Sequence, residues 1–236
     1  MKHGLNLEIR NMKRIWLIVF VITLIADLIG VYIKNEMVVY VTKPLVVIAL
    51  ILYFLSATWK IENAFIKIIV NALFFSWLGD LALMFDSFDQ RTFLIGLLAF
   101  LFAHLRYINF FSIVRMGEKI KLKPGLILIV AVYYSGLIFL LLNDLHEMKI
   151  PVIIYGIVIS IMLLLALHML FIKNKEAGKL LMLGALLFVI SDSILAINKF
   201  YQSFELASIF IMLTYGMAQL LITLGAARYI LSISKR

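Results

Sequence analysis

An all-α bundle of about eight membrane-spanning helices is predicted by three features of the sequence. The 236-residue chain is 64% hydrophobic with a mean hydropathy of +1.09, and only 15% of its residues are charged, too few to cover a soluble domain. Its apolar residues gather into eight runs of about 20, the length that crosses a hydrocarbon core at about 1.5 Å per residue. Its basic residues fall between those runs, mostly on one side.

The runs occupy 14–33, 39–57, 64–85, 92–114, 125–142, 150–172, 179–198 and 205–230. All connections are short, so neighbouring spans are antiparallel and the chain reads as one transmembrane domain over 1–236. The basic start MKHGLNLEIRNMKR leads into an apolar run with no small-x-small cleavage pattern, and it reads as a retained first helix. With an even number of spans, both ends share a face with the loops after the second, fourth and sixth spans. Sixteen of the 22 Lys and Arg residues then lie on that face, including Lys13, Arg14, Lys60, Lys67, Arg115, Lys119, Lys121, Lys123, Lys173 and Lys175. Five lie opposite, Lys34, Lys43, Arg91, Lys149 and Lys199, and Arg106 falls within a span. By the positive-inside rule, both termini are expected in the cytoplasm of a multi-pass cell-membrane protein. The net charge of +9 thus reports orientation in the bilayer, and no nucleic-acid partner is expected. Oligomeric state is not legible in the sequence.

Several chemistries are missing. Without cysteine there is no disulfide, thiolate nucleophile or Cys-ligated metal. GxSxG, HExxH, P-loop and glycine-rich dinucleotide motifs are all absent. His3, His146 and His168 sit near span ends, away from His104, which speaks against a three-His site. A mixed Asp/His set is the metal option that stays open. No metal and no cofactor are expected.

The stretch from Phe74 to Asp86, FFSWLGDLALMFD, places Asp80 inside a span, where an acidic residue is costly and points to function. From Phe188 the chain reads FVISDSILAINKF, and when Asp192 is laid on Asp80, Leu195, Phe200 and Gln202 fall on Leu83, Phe88 and Gln90. The offset of 112 residues spans four helices, so the two halves would form a parallel four-plus-four repeat. Under it His104 and Tyr107 correspond to Gly216 and Gln219. Both acids are expected in the outer half, about 20 Å from the inner boundary. Asp27 on the first helix reaches a similar depth, and Lys43 with Pro44 is expected to open the second helix there.

Two acids in one cavity suit proton transfer: one bears the proton and the other remains a carboxylate. His104 and Tyr107 share a helical face, as do Tyr215 and Gln219. These four, with Asp27 and Lys43, complete the expected polar set; Arg106 points away from His104.

The Lys43-Pro44 pair, Gly79-Asp80 with Leu83, His104 with Tyr107, Ser191-Asp192 with Leu195 and Ala196, and Tyr215 with Gln219 follow in an order that resembles the YhhN-like lysoplasmalogenase family of eight-helix membrane proteins. The resemblance covers nearly the whole chain. It implies hydrolysis of the vinyl ether bond of a lysophospholipid, giving a fatty aldehyde and a glycerophospho-base, with the family's important acids mapping onto Asp80 and Asp192. His104, Tyr107, Tyr215 and Gln219 would then bind the glycerol hydroxyl or the phosphate, with Lys43 at the phosphate end. The alternative is a transporter or channel using the same acids for cation or proton binding, and a third reading is a structural or ligand-sensing protein. Access separates the first two: an enzyme needs a cavity open to one leaflet, a transporter a polar path to both faces.

Overall fold

Short polar segments between the apolar runs set the helix boundaries. Asn35, Asn63 and Asn174 each stand at a helix start with the side-chain oxygen accepting a backbone N–H of the first turn, and Pro124 follows Lys123 at the start of a fourth helix. Lys34, Lys60 and Lys119 close three helices in the left-handed region, with φ of 55°, 70° and 57°. The computed structural model describes residues 2–86 and 90–234, and side chains in it from residue 11 onward except Gln90. Phe88 of the sequence echo, and Lys235 and Arg236 of the charge pattern, lie outside the described residues.

Eight long helices follow: α1 Lys2–Tyr32, α2 Glu36–Ala57, α3 Ala64–Leu83, α4 Gln90–Gly117, α5 Pro124–Leu141, α6 Lys149–His168, α7 Lys175–Ala196 and α8 Ala207–Ile233. Each contains a stretch long and apolar enough to cross a membrane, and no strand occurs among the described residues. This is a multi-pass, all-helical membrane protein. A π-helical turn, Ile197–Tyr201, extends α7 on the side where the acids gather. The expected opening of α2 at Lys43-Pro44 is corrected: the helix starts a full two turns earlier, at Glu36, because Asn35 caps it. Pro44 is therefore inside the helix, where its ring frees the carbonyl one turn back.

Three antiparallel hairpins, α1/α2, α3/α4 and α7/α8, make the closest pairs, and α8 also touches α1, α2 and α3. α5 is peripheral, leaning on α6 with Phe139 and Val132 turned outward. The same neighbours recur in both halves: α2 lies against α3 and α8, while α6 lies against α7 and α4. Between apolar helices in lipid there is no hydrophobic gain from association, so close approach through small residues has to supply it. Glycines do so where backbones nearly touch. A β-carbon at Gly184 of α7 would lie 2.8 Å from Ile222 N and 2.9 Å from Ala218 O of α8, and one at Gly178 would lie 2.1 Å from Met169 O.

Alanine at Gly178 or Gly184 is expected to lower the thermal midpoint of the detergent-solubilised protein, an overpacking cost of about 1–3 kcal/mol. Gly136→Ala on α5, where the added carbon meets nothing within 4 Å, is expected to leave it unchanged or slightly raised. Equal losses at all three sites would show that these contacts do not hold α7 against α8 and the turn after α6.

Candidate functional site

The polar residues of α1, α2, α3, α7 and α8 converge at the end of the bundle away from the chain termini. Asp80 lies one turn before the end of α3 and Asp192 one turn before the end of α7, while Lys43 is in the second turn of α2. Asp27, Lys43, Asp80, Asp192 and Tyr215 all line one cavity of about 160 Å³, completed by Leu83, Phe93, Phe100, Ser191, Leu195 and Ser208 among others. Asp80 and Asp192, distant in sequence, thus face the same space. Beside Asp80, Gly79 has no side chain to hold off the Phe100 ring, which would lie 2.6 Å from any β-carbon there, so α4 packs directly on α3.

Each acid is held from another part of the bundle. Asp80, 3% exposed, accepts a 2.7 Å hydrogen bond from the Tyr215 hydroxyl of α8. The Tyr215 oxygen accepts from Gln219 Nε2 at 3.3 Å, and Gln219 Oε1 accepts from the Tyr107 hydroxyl of α4 at 2.7 Å. Asp192 Oδ2 accepts from the Tyr155 hydroxyl of α6, and His104 Nε2 of α4 stands 3.4 Å from the same oxygen. With the Tyr155 hydrogen directed to the carboxylate, the 2.8 Å contact between His104 Nε2 and the Tyr155 oxygen takes its hydrogen from the imidazole. Asp27, fully buried, accepts from Thr42 of α2 at 2.9 Å through Oδ1. Ser191, adjacent to Asp192, donates to the Ile211 carbonyl and ties α7 to α8 at this level.

Phe188 separates the two networks. Its buried ring meets those of His104, Tyr215, Tyr107 and Phe100 edge-on, with centroids 4.7 to 6.4 Å apart. One chain, Tyr107–Gln219–Tyr215, ends on Asp80. The other, His104–Tyr155, ends on Asp192.

The cavity continues in two directions of opposite character. Val31, Lys43, Leu83 and Ser208 are shared with a recess of about 330 Å³ that adds Lys34, Asn35, Glu36 and Tyr40. Leu83, Phe93, Phe100, Asp192 and Leu195 are shared with a narrow crevice that adds Leu97, Val152, Tyr155, Ala196 and Phe200 and is almost wholly apolar. At the rim, Lys199 of the π-helical turn pairs with Asp86 at 2.6 Å.

Of the expected set, Asp27, Lys43, Asp80, Asp192 and Tyr215 line the cavity, whereas His104, Tyr107 and Gln219 form a fully buried layer behind its wall. Arg106 faces outward, away from His104. Tyr155, Thr42 and Phe188 were not anticipated. Tyr155 carried a faint signal, as an aromatic hydroxyl within a mostly aliphatic span.

Replacing Tyr107 by Phe leaves Gln219 Oε1 buried without a donor and is expected to cost about 1–2 kcal/mol. A Tyr107→Phe, Gln219→Leu pair should cost less than the sum of the single changes in a double-mutant cycle of detergent unfolding. Strict additivity would mean that the two side chains are not coupled.

The YhhN family model matches residues 38–226, a stretch that contains all of the cavity-lining residues except Asp27 and Val31. The human protein named lysoplasmalogenase TMEM86B is 34% identical over 168 residues, which are 71% of this chain and 66% of the human one. Its rat counterpart, of the same name, is 34% identical over 177 residues, 73% of this chain and 64% of its own. The matches thus span just under two thirds of the length of these curated relatives. No solved structure matches.

Proposed function

Because the chain belongs to the YhhN family, we propose that it is an integral-membrane hydrolase that cleaves the vinyl ether bond of lysoplasmalogen-type lysophospholipids. The relatives named lysoplasmalogenase support this reading. The observation that carries it is the order of environments around the acids: a recess with Lys34 and Lys43, a cavity lined by Asp80 and Asp192, then an apolar crevice. A lysolipid has the same order of phosphate, ether linkage and single hydrocarbon chain.

Vinyl ether cleavage starts when an acid protonates the alkenyl carbon distal to oxygen, which leaves an oxocarbenium ion. Water adds to the carbon bonded to oxygen and loses a proton to a carboxylate. The hemiacetal then collapses to aldehyde and alcohol, so that one water is consumed overall. In this reading one of Asp80 and Asp192 delivers the proton, and the other faces the cation and takes the proton from water, assistance worth about 10² to 10⁴ in rate. Tyr215 and Tyr155 fix the two carboxyl groups by hydrogen bonds to one oxygen of each. His104, Tyr107 and Gln219 act one layer back, as positioning groups. The asymmetry of basic residues supports cytoplasmic termini and an outer-leaflet cavity.

The test is aldehyde release from a lysoplasmalogen by the purified protein. Asp80→Asn and Asp192→Asn are each expected to lose at least about 10²-fold in rate while eluting as folded protein. Wild-type rates in both variants would overturn the acid pair, and no release by the wild type on ethanolamine and choline substrates would overturn the hydrolase. Lys43→Gln is expected to raise KM with less effect on kcat, the signature of a group that holds substrate and transition state alike.

A further inference from the structure

Apart from Asp86, which pairs with Lys199, Asp27 is the cavity acid that the proposed chemistry does not use. It is fully buried, lines the cavity, and has one oxygen satisfied: Thr42 donates to Oδ1 at 2.9 Å, while no donor among the described residues reaches Oδ2. A buried carboxylate oxygen left in that state calls for a donor that arrives with a ligand. Its place along the cavity identifies the donor. Val31, one turn beyond Asp27 on α1, is shared with the lysine recess, and Lys43 follows the Thr42 that binds Asp27. Asp27 therefore stands beside the cationic recess, in the same cavity as Asp80 and Asp192.

We infer that Asp27 Oδ2 accepts a hydrogen bond from the free 2-hydroxyl of the lysolipid glycerol, and that this contact makes the site select lysolipids. The inference rests on the lysolipid reading above. In such a substrate, carbon 2 lies next to both the phosphate-bearing carbon and the carbon that carries the vinyl ether, and Asp27 shares one cavity with both Lys43 and the acid pair. A lipid acylated at carbon 2 has no hydrogen to give. It would leave Oδ2 buried and unpaired, and a site built to bind a hydroxyl strongly rejects an analogue that lacks one. Thr42 is a positioning residue here, since it occupies Oδ1 and so leaves Oδ2 for the substrate.

Three vinyl ether substrates separate the contact from size effects: the 2-hydroxyl lysolipid, its 2-deoxy analogue and its 2-O-methyl ether. The wild type is expected to lose about tenfold or more in kcat/KM on both analogues, although one is smaller than the substrate and the other larger. In Asp27→Asn, with Thr42 still bonding the carbonyl oxygen, the amide NH₂ takes the place of Oδ2 and offers a donor instead of an acceptor. The methyl ether, an acceptor only, should then come within about threefold of the hydroxyl substrate, while the deoxy analogue stays poor. A wild type that turns over the deoxy analogue as fast as the hydroxyl substrate overturns the inference without any variant. So does an Asp27→Asn variant that keeps the wild-type preference against the ether. Absence of aldehyde from all three substrates with folded wild type would instead overturn the hydrolase reading itself.

Discussion

A carboxylate in a membrane-spanning helix must find its hydrogen-bond donors within the protein, because the surrounding hydrocarbon offers none. The end of this bundle is arranged around that demand. Asp80 on α3 draws its donor from α8, and Asp192 on α7 draws its donor from Tyr155 of α6, which itself accepts from His104 of α4. Each acid therefore links its own hairpin to the other half of the chain. The helices bring their polar side chains together at one depth, and the contacts that satisfy the acids also fix how the halves dock.

This crossing gives physical content to the internal echo. Residues 112 apart include not only Asp80 and Asp192, which face one cavity, but also Tyr107 and Gln219, which hydrogen-bond to each other. Residues that the echo pairs thus come together in the bundle. The helix neighbours agree, with α2 against α8 matched by α6 against α4. The two halves differ in detail. His104, which contacts Asp192, corresponds to Gly216, and that glycine instead admits Leu24 of α1. The two acids consequently have unlike supports, an imidazole behind one and a primary amide behind the other.

Much of this was legible in the sequence because it rested on exceptions. An aspartate inside an apolar run stands out, so Asp27, Asp80 and Asp192 were visible, and eight spans followed from run length and charge placement. Packing order was not visible, since aliphatic helices carry little information about which neighbour they meet. Tyr155 was missed for a related reason: it is one of ten tyrosines, a residue type common at membrane interfaces, and only the docking of α6 against α4 and α7 turns it into a partner of Asp192. The Lys43-Pro44 pair misplaces the start of α2 because proline favours a first helical turn, whereas the Asn35 side chain caps the helix in the polar segment two turns earlier. Tyr107 and Gln219 were assigned to the site by type. Their burial against each other makes them the layer that positions Tyr215.

The supports of the acids also explain why the site is asymmetric along its length. On the Asp27 and Asp80 side the wall is built by α1, α2, α3 and α8, whose ends carry Lys34, Glu36 and Lys43, so the space there is polar and opens into the recess. On the Asp192 side the wall is built by α4, α6 and α7, which contribute Phe93, Leu97, Val152 and Phe200, and the space narrows into an apolar slot. The acids stand where these surfaces meet. An amphiphile entering this site has one favourable orientation, because reversing it would bury its charge in the slot and expose its chain to the lysines. In the lysolipid reading proposed above, the junction, not either surface alone, would bring the bond between head and chain to the carboxyl groups, and a molecule without both parts would lack the means to be held there.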